Sequence, residues 1–148
     1  MSSGLTPRAF SARVKVRTWG GYNAFDADID YEPREAICGW EELRALERCG
    51  VSVQSHGARH RRFSELEPSE RKQELVLSKS VLEANLDKTV SAFAFPYGDD
   101  GGDARESASL LAEVGYRAAF LYGGGPVKPP ASNRYAITRV PMGAGTSL

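Results

Sequence analysis

The chain has only two cysteines, Cys38 and Cys49, in 148 residues. That excludes a disulfide-built scaffold, which needs several bridges in a short chain. A helical pattern lies between the two, and they read as reduced thiols. Long apolar runs are missing as well, and none approaches the ~20 residues that a membrane-spanning helix needs. The N-terminal "MSSGLTPRAFSARVKVRTWGG" has no continuous apolar centre, so it does not read as a secretory signal. Net charge is also absent. Nineteen basic residues balance nineteen acidic ones, which leaves no global field to recruit nucleic acid or an anionic membrane. The expectation is a cytoplasmic protein with neither as a partner. Histidine is scarce, and His56 and His60 are the only two.

What is present fits one folded unit. The length allows a single domain over residues 1–148, and 41% apolar with 26% charged residues is a globular balance. "ARVKVR" (12–17) alternates as a half-buried strand does. A Gly-, Asp- and Pro-rich loop follows. "GWEELRALERCG" sets Trp40, Leu43 and Leu46 at helical spacing, with Gly50 as a stop. "VSVQ" reads as a short strand. "EPSERKQELVLSKSVLEANLD" reads as an amphipathic helix with Pro68 in its first turn. Leu75, Leu82 and Leu86 form one apolar stripe, and Leu77, Val81 and Ala84 a second beside it, with Ser78 interrupting. "TVSAFAF", "YRAAFLY" and "YAITRVP" read as strands, and "ARESASLLAEVG" as a helix closed by Gly115. The loop "PYGDDGGD" and the Gly/Pro loop 123–133 lie between them. Strands alternating with helices call for parallel strands joined by crossover helices, an α/β fold. In such folds chemistry gathers in loops after the strands' C-terminal ends, where "SHGARH" and "PYGDDGGD" both stand.

His56 and His60 lie four residues apart with Gly57 between them. Two readings are open. Neutral imidazoles are good zinc ligands, and a loop turning into a helix brings both rings to one ion. The bland alternative is two polar residues in a solvated loop, beside the basic run Arg59, Arg61 and Arg62.

The order of motifs narrows this. A W-E-E-L-R-A-L helix leads to a "GV" strand and then to S-H-x-x-x-H. A helix follows, then a strand ending in F-A-F-P-Y-G. "GYRAAF" and "ITRVPM" complete the series. This succession resembles the NodB-homology polysaccharide deacetylases, carbohydrate esterase family 4, over roughly residues 12–143. The resemblance implies an incomplete distorted (β/α) barrel. It implies removal of acetyl groups from an acetylated sugar or polysaccharide at an acetamido C–N bond, with a divalent metal, zinc by expectation. His56 and His60 become metal ligands. Pro96, Tyr97 and Gly98 become the groove wall, and the backbone N–H of Tyr97 an oxyanion donor.

The family's T-F-D-D-G motif, which supplies a base and a third ligand, has no match upstream of His56. The nearest lookalike is "AFDADID", which makes Asp26 the substitute base to consider. The family's late histidine has no match either. On this resemblance the chain starts one strand and one helix late, and a partner chain completing the sheet is one expectation. The alternative function is a catalytically inactive remnant that binds carbohydrate or another protein.

Overall fold

The computed structural model describes residues 38–129 and 131–140. The strand expected over 12–17 and the acidic loop with Asp26 lie outside the described residues.

Three helices alternate with short parallel strands. Helix α1 spans Trp40–Arg48. Its Leu43 and Leu46 are buried, as their spacing predicts, and Trp40 packs beside them. Helix α2 spans Pro68–Leu86. Pro68 sits where a missing N–H costs nothing, and the Glu70 carboxylate accepts from the Glu67 N–H at 3.0 Å. Strand β1 is Ala92–Ala94. Helix α3 is Ala104–Val114, and the Asp103 carboxylate caps it by accepting from the N–H groups of Arg105 and Glu106. Such a cap is worth ~1 kcal/mol. Gly115 ends the helix at φ 93°. Strand β2 is Ala118–Phe120.

β1 and β2 pair in parallel, with Phe93 opposite Ala119. The expected strand "YAITRVP" is reduced to a single bridge, and "VSVQ" (51–54) forms no strand, its bridge falling at the next residue. Ser55 bridges Phe93, and Ile137 bridges Phe120, both in parallel. The sheet therefore reads segment 53–55, β1, β2, segment 135–137, with α2 and α3 as the crossovers.

α2 departs from the expected pattern. Leu77 is 42% exposed, and Ala84 is exposed too. At ~100° per residue, Leu77 and Ala84 point away from Leu75, so they cannot share its face. The buried face instead carries Leu75 and Leu86 together with the polar residues Arg71, Glu74 and Ser78. Each polar group finds a partner, as burial demands. Arg71 Nε donates to the carbonyls of Phe63 and Leu66, and its Nη1 to Glu106. Ser78 Oγ lies 2.8 Å from Ser55 Oγ.

The main core joins Phe63, Leu66, Leu75, Val90, Phe93 and Phe95 to Leu111, Tyr116, Ala119 and Tyr135. Phe93 and Phe95 leave β1 on the same face, two residues apart. Their rings meet edge-on at 5.1 Å, and Phe63 meets Phe95 edge-on at 5.2 Å. No described helix is long and apolar enough to cross a membrane.

Candidate active site

The site is built where the chain leaves the sheet. Ser55 is the last sheet-bonded residue, and its backbone exchanges hydrogen bonds with Ala92 and Ala94. His56 follows directly. Gly57 then turns the chain at φ 83°, a conformation that strains any side chain. His60 turns it again with φ 56°. A non-glycine residue accepts that region at ~1–2 kcal/mol. The loop is not a helix, and its two turns bring the rings together. The His56 and His60 centroids are 4.8 Å apart at 64°, and their Nε2 atoms are 3.1 Å apart.

The tautomers follow from the partners. The Ala94 carbonyl accepts from His56 Nδ1 at 2.7 Å. A carbonyl cannot donate, so the His56 proton sits on Nδ1 and its Nε2 lone pair faces His60. Burial lowers the His56 pKa, and the charges of His60 and Arg139 add to this, while the Ala94 carbonyl opposes it. The imidazole is thereby held in the neutral form that a metal needs.

The solvated-loop reading applies to part of the stretch. Arg59, Arg61 and Arg62 are exposed and pair with Glu74, Glu70 and Glu65 at 2.8, 3.0 and 3.9 Å. His60, in the same run, turns inward and is 6% exposed.

Pro96, Tyr97 and Gly98 form a 3₁₀ turn at the end of β1. Tyr97 has φ 59°. Its ring lies 4.8 Å from that of His60, and the Arg62 guanidinium stands 4.1 Å from its centroid. Gly98 is required for space: a Cβ there would lie 2.5 Å from the Tyr122 nitrogen. Asp99 continues the turn and accepts from the Ser64 N–H and hydroxyl at 3.1 and 2.5 Å. The Pro96–Gly98 turn and the histidine pair are thus neighbours.

The pair fits one metal ion. Two nitrogens on a tetrahedral zinc, each bound at ~2.0–2.1 Å, stand roughly 3.3 Å apart. The observed 3.1 Å separation is close to that. The Nδ1–H on a backbone carbonyl is the outer-shell bond usual for a ligating histidine. Among the described residues, no group of three His, Cys, Asp or Glu side chains is placed to hold a metal ion. Asp26 lies outside the described residues.

Sequence reasoning missed Glu74, whose carboxylate reaches under the histidine loop, and Arg62, which covers Tyr97. The signal for Glu74 was the polar series 71, 74 and 78 at helical spacing.

The polysaccharide deacetylase family model matches residues 14–119. The chain belongs to that family. No curated protein matches it. Among solved structures it is similar to the Streptococcus pyogenes deacetylase PplD in complex with acetate. There the TM-score is 0.64 at 18% identity, over 73% of this chain and 46% of that one. BC0361, a polysaccharide deacetylase from Bacillus cereus, gives 0.60 at 25% identity, over 73% and 33%. A de-N-acetylase from Aggregatibacter actinomycetemcomitans gives 0.63 at 16% identity, over 81% and 55%. The chain therefore spans about half or less of the length of the structures it resembles. Its parallel strands and crossover helices are part of the polysaccharide deacetylase α/β fold.

Proposed function

We propose that this chain carries part of the metal site of a carbohydrate deacetylase that hydrolyses the acetamido C–N bond of an acetylated sugar. The observation that carries this reading is the facing of the His56 and His60 Nε2 atoms at 3.1 Å. Family membership supports the reaction class.

His56 and His60 would hold the divalent ion, zinc by ligand preference. When bound, the ion supplies an acidified water and polarises the acetyl carbonyl. His56 is kept in the binding tautomer by the Ala94 carbonyl. His60, whose Nε2 faces His56 in the metal-free arrangement, would ligate through Nε2 as the tautomer that keeps its proton on Nδ1. Pro96, Tyr97 and Gly98 wall the groove, and the Tyr97 N–H stabilises the tetrahedral oxyanion. Water adds to the carbonyl, the C–N bond breaks, and acetate and a free amine leave. The third ligand and the base come from outside the described residues. Asp26 is the candidate in this chain, and a partner chain completing the sheet is the other source.

A second reading is a module that binds carbohydrate without turning it over. The two-ligand grouping among the described residues favours it over the enzyme if no third donor arrives. Acetate release from N-acetylglucosamine oligomers separates the two. The chain is assayed with zinc or cobalt beside His56→Ala. Release that depends on metal and is lost in the variant supports the enzyme. Equal background from both overturns it.

A further inference from the structure

Glu74 is a glutamate on the inner face of α2, only 2% exposed. Buried carboxylates are costly unless every oxygen is bonded. Here the bonds go to the histidine loop. Glu74 Oε2 accepts from the N–H groups of Ala58 and Arg59 at 2.9 and 2.8 Å. Oε1 accepts from Arg59 Nη1 at 2.8 Å. Both anchored amides belong to the short stretch that separates His56 from His60. The same carboxylate lies 3.5 Å from where a Cβ on Gly57 would be.

That stretch is irregular backbone. It holds no helix or strand, and His60 adopts a left-handed backbone that is unfavourable by itself. Something must select this conformation over ordinary ones. Two backbone bonds to one buried charge do so, and charge-assisted bonds are roughly twice as strong as neutral ones. We propose that Glu74 is a positioning residue, whose buried carboxylate pins the Ala58–Arg59 backbone and so sets the Nε2 atoms of His56 and His60 against each other. The link to metal rests on the reading given above, whereas the link to loop geometry does not.

Three variants test it in the full chain: Glu74→Ala, Glu74→Gln and Arg59→Ala. On metal-free protein, amide hydrogen exchange at Ala58 and Arg59 should rise about tenfold or more in Glu74→Ala, while Phe93 and Phe95 stay protected. The His56 and His60 ring ¹⁵N signals should shift. Glu74→Gln keeps the volume and one acceptor and should give a smaller change of the same kind; it carries the test if the alanine variant does not fold. Arg59→Ala removes the bond to Glu74 Oε1 but keeps both backbone bonds to Oε2, so it should change Ala58 exchange and the ring signals clearly less than Glu74→Ala does. Cobalt affinity should fall roughly 10–100-fold in Glu74→Ala, the usual cost of losing a group that orients metal ligands. Unchanged Ala58 exchange and ring signals in both Glu74 variants would overturn the proposal. So would an Arg59→Ala effect equal to that of Glu74→Ala. If the native chain binds no cobalt, the metal reading fails, and the exchange and ring signals still decide the role of Glu74.

Discussion

Ser55 Oγ and Ser78 Oγ lie 2.8 Å apart in the core, so the crossover helix is bonded to the residue just before His56. Ser78 Oγ also approaches the Tyr116 hydroxyl at 3.4 Å, and that hydroxyl donates to the Leu75 carbonyl at 3.1 Å. Both serines are buried, so water cannot replace a lost partner. Ser78→Ala should therefore destabilise the fold by ~1–3 kcal/mol, the cost of leaving a buried polar group unpaired. Urea unfolding measures it. A midpoint equal to that of the native chain would show that the serine pair carries no net stability.

Gly98 and Gly102 form a matched comparison. Both have positive φ, 70° and 80°. A Cβ on Gly98 meets the Tyr122 backbone at 2.5 Å, while one on Gly102 meets nothing within 4 Å. Gly102→Ala should cost only the conformational penalty, ~1–2 kcal/mol. Gly98→Ala adds a clash with backbone that cannot rotate away, and should cost several kcal/mol more. Parallel denaturation curves decide it, and equal costs would refute the packing of the Pro96–Gly98 turn against Tyr122.

Much of this fold was legible in the residues. Trp40, Leu43 and Leu46 announce α1, Pro68 opens α2, and Gly115 closes α3. Strand and helix alternation gave the parallel sheet because parallel pairing requires long crossovers. "VSVQ" (51–54) forms no strand, and the bridge falls one residue later at Ser55: four residues are too few to separate a strand from a single bridge. Leu77 forms no second apolar stripe beside Leu75, because that side of the helix turns to solvent. At the site, the proximity of "SHGARH" to "FPYG" was legible from motif order. The left-handed backbone of His60 was not, since neither it nor its neighbours is glycine on that side. Glu74 left only a faint trace, the polar spacing of 71, 74 and 78, for a different reason. Glutamate on a helix ordinarily faces water, and only the loop it holds makes its burial sensible.

The His56 pKa is lowered, by burial first and then by the charges of His60 and Arg139, against the pull of the Ala94 carbonyl. The unfolded chain then binds more protons than the folded one below about pH 6.5. The stability from a neutral His56 is complete above that pH and is lost as pH falls toward the folded pKa. Metal-free protein in chelator should thus lose stability as pH falls below about 6.5, and His56→Gln should flatten that slope. Thermal melts across the range test it. Stability that falls as pH rises through this range would reverse the sign and contradict a buried neutral imidazole.

Asp99 ties the 3₁₀ turn Phe63–Glu65 to the Pro96–Gly98 turn beside the histidines. Partial burial acts to raise its pKa, but the Ser64 hydroxyl, the Gly101 N–H, the Ser64 N–H and the charge of Arg62 together hold it below the ordinary carboxylate value. A lowered carboxylate pKa contributes stability above about pH 4, and that stability disappears as acid titrates the folded group. Asp99→Asn keeps the shape but weakens the acceptor. It should cost ~1 kcal/mol at pH 7, and the cost should shrink as pH falls below about 4 toward the lowered folded value. Because Ser64 and Asp99 join the loop that carries Arg62 to the turn that carries Tyr97, the variant should also loosen the 4.1 Å contact between them. The Tyr97 ring proton shifts report that contact directly. If the cost of Asp99→Asn is the same at pH 3 as at pH 7, the bond to Ser64 does not depend on the carboxylate's charge, and the acid sensitivity of this corner lies elsewhere.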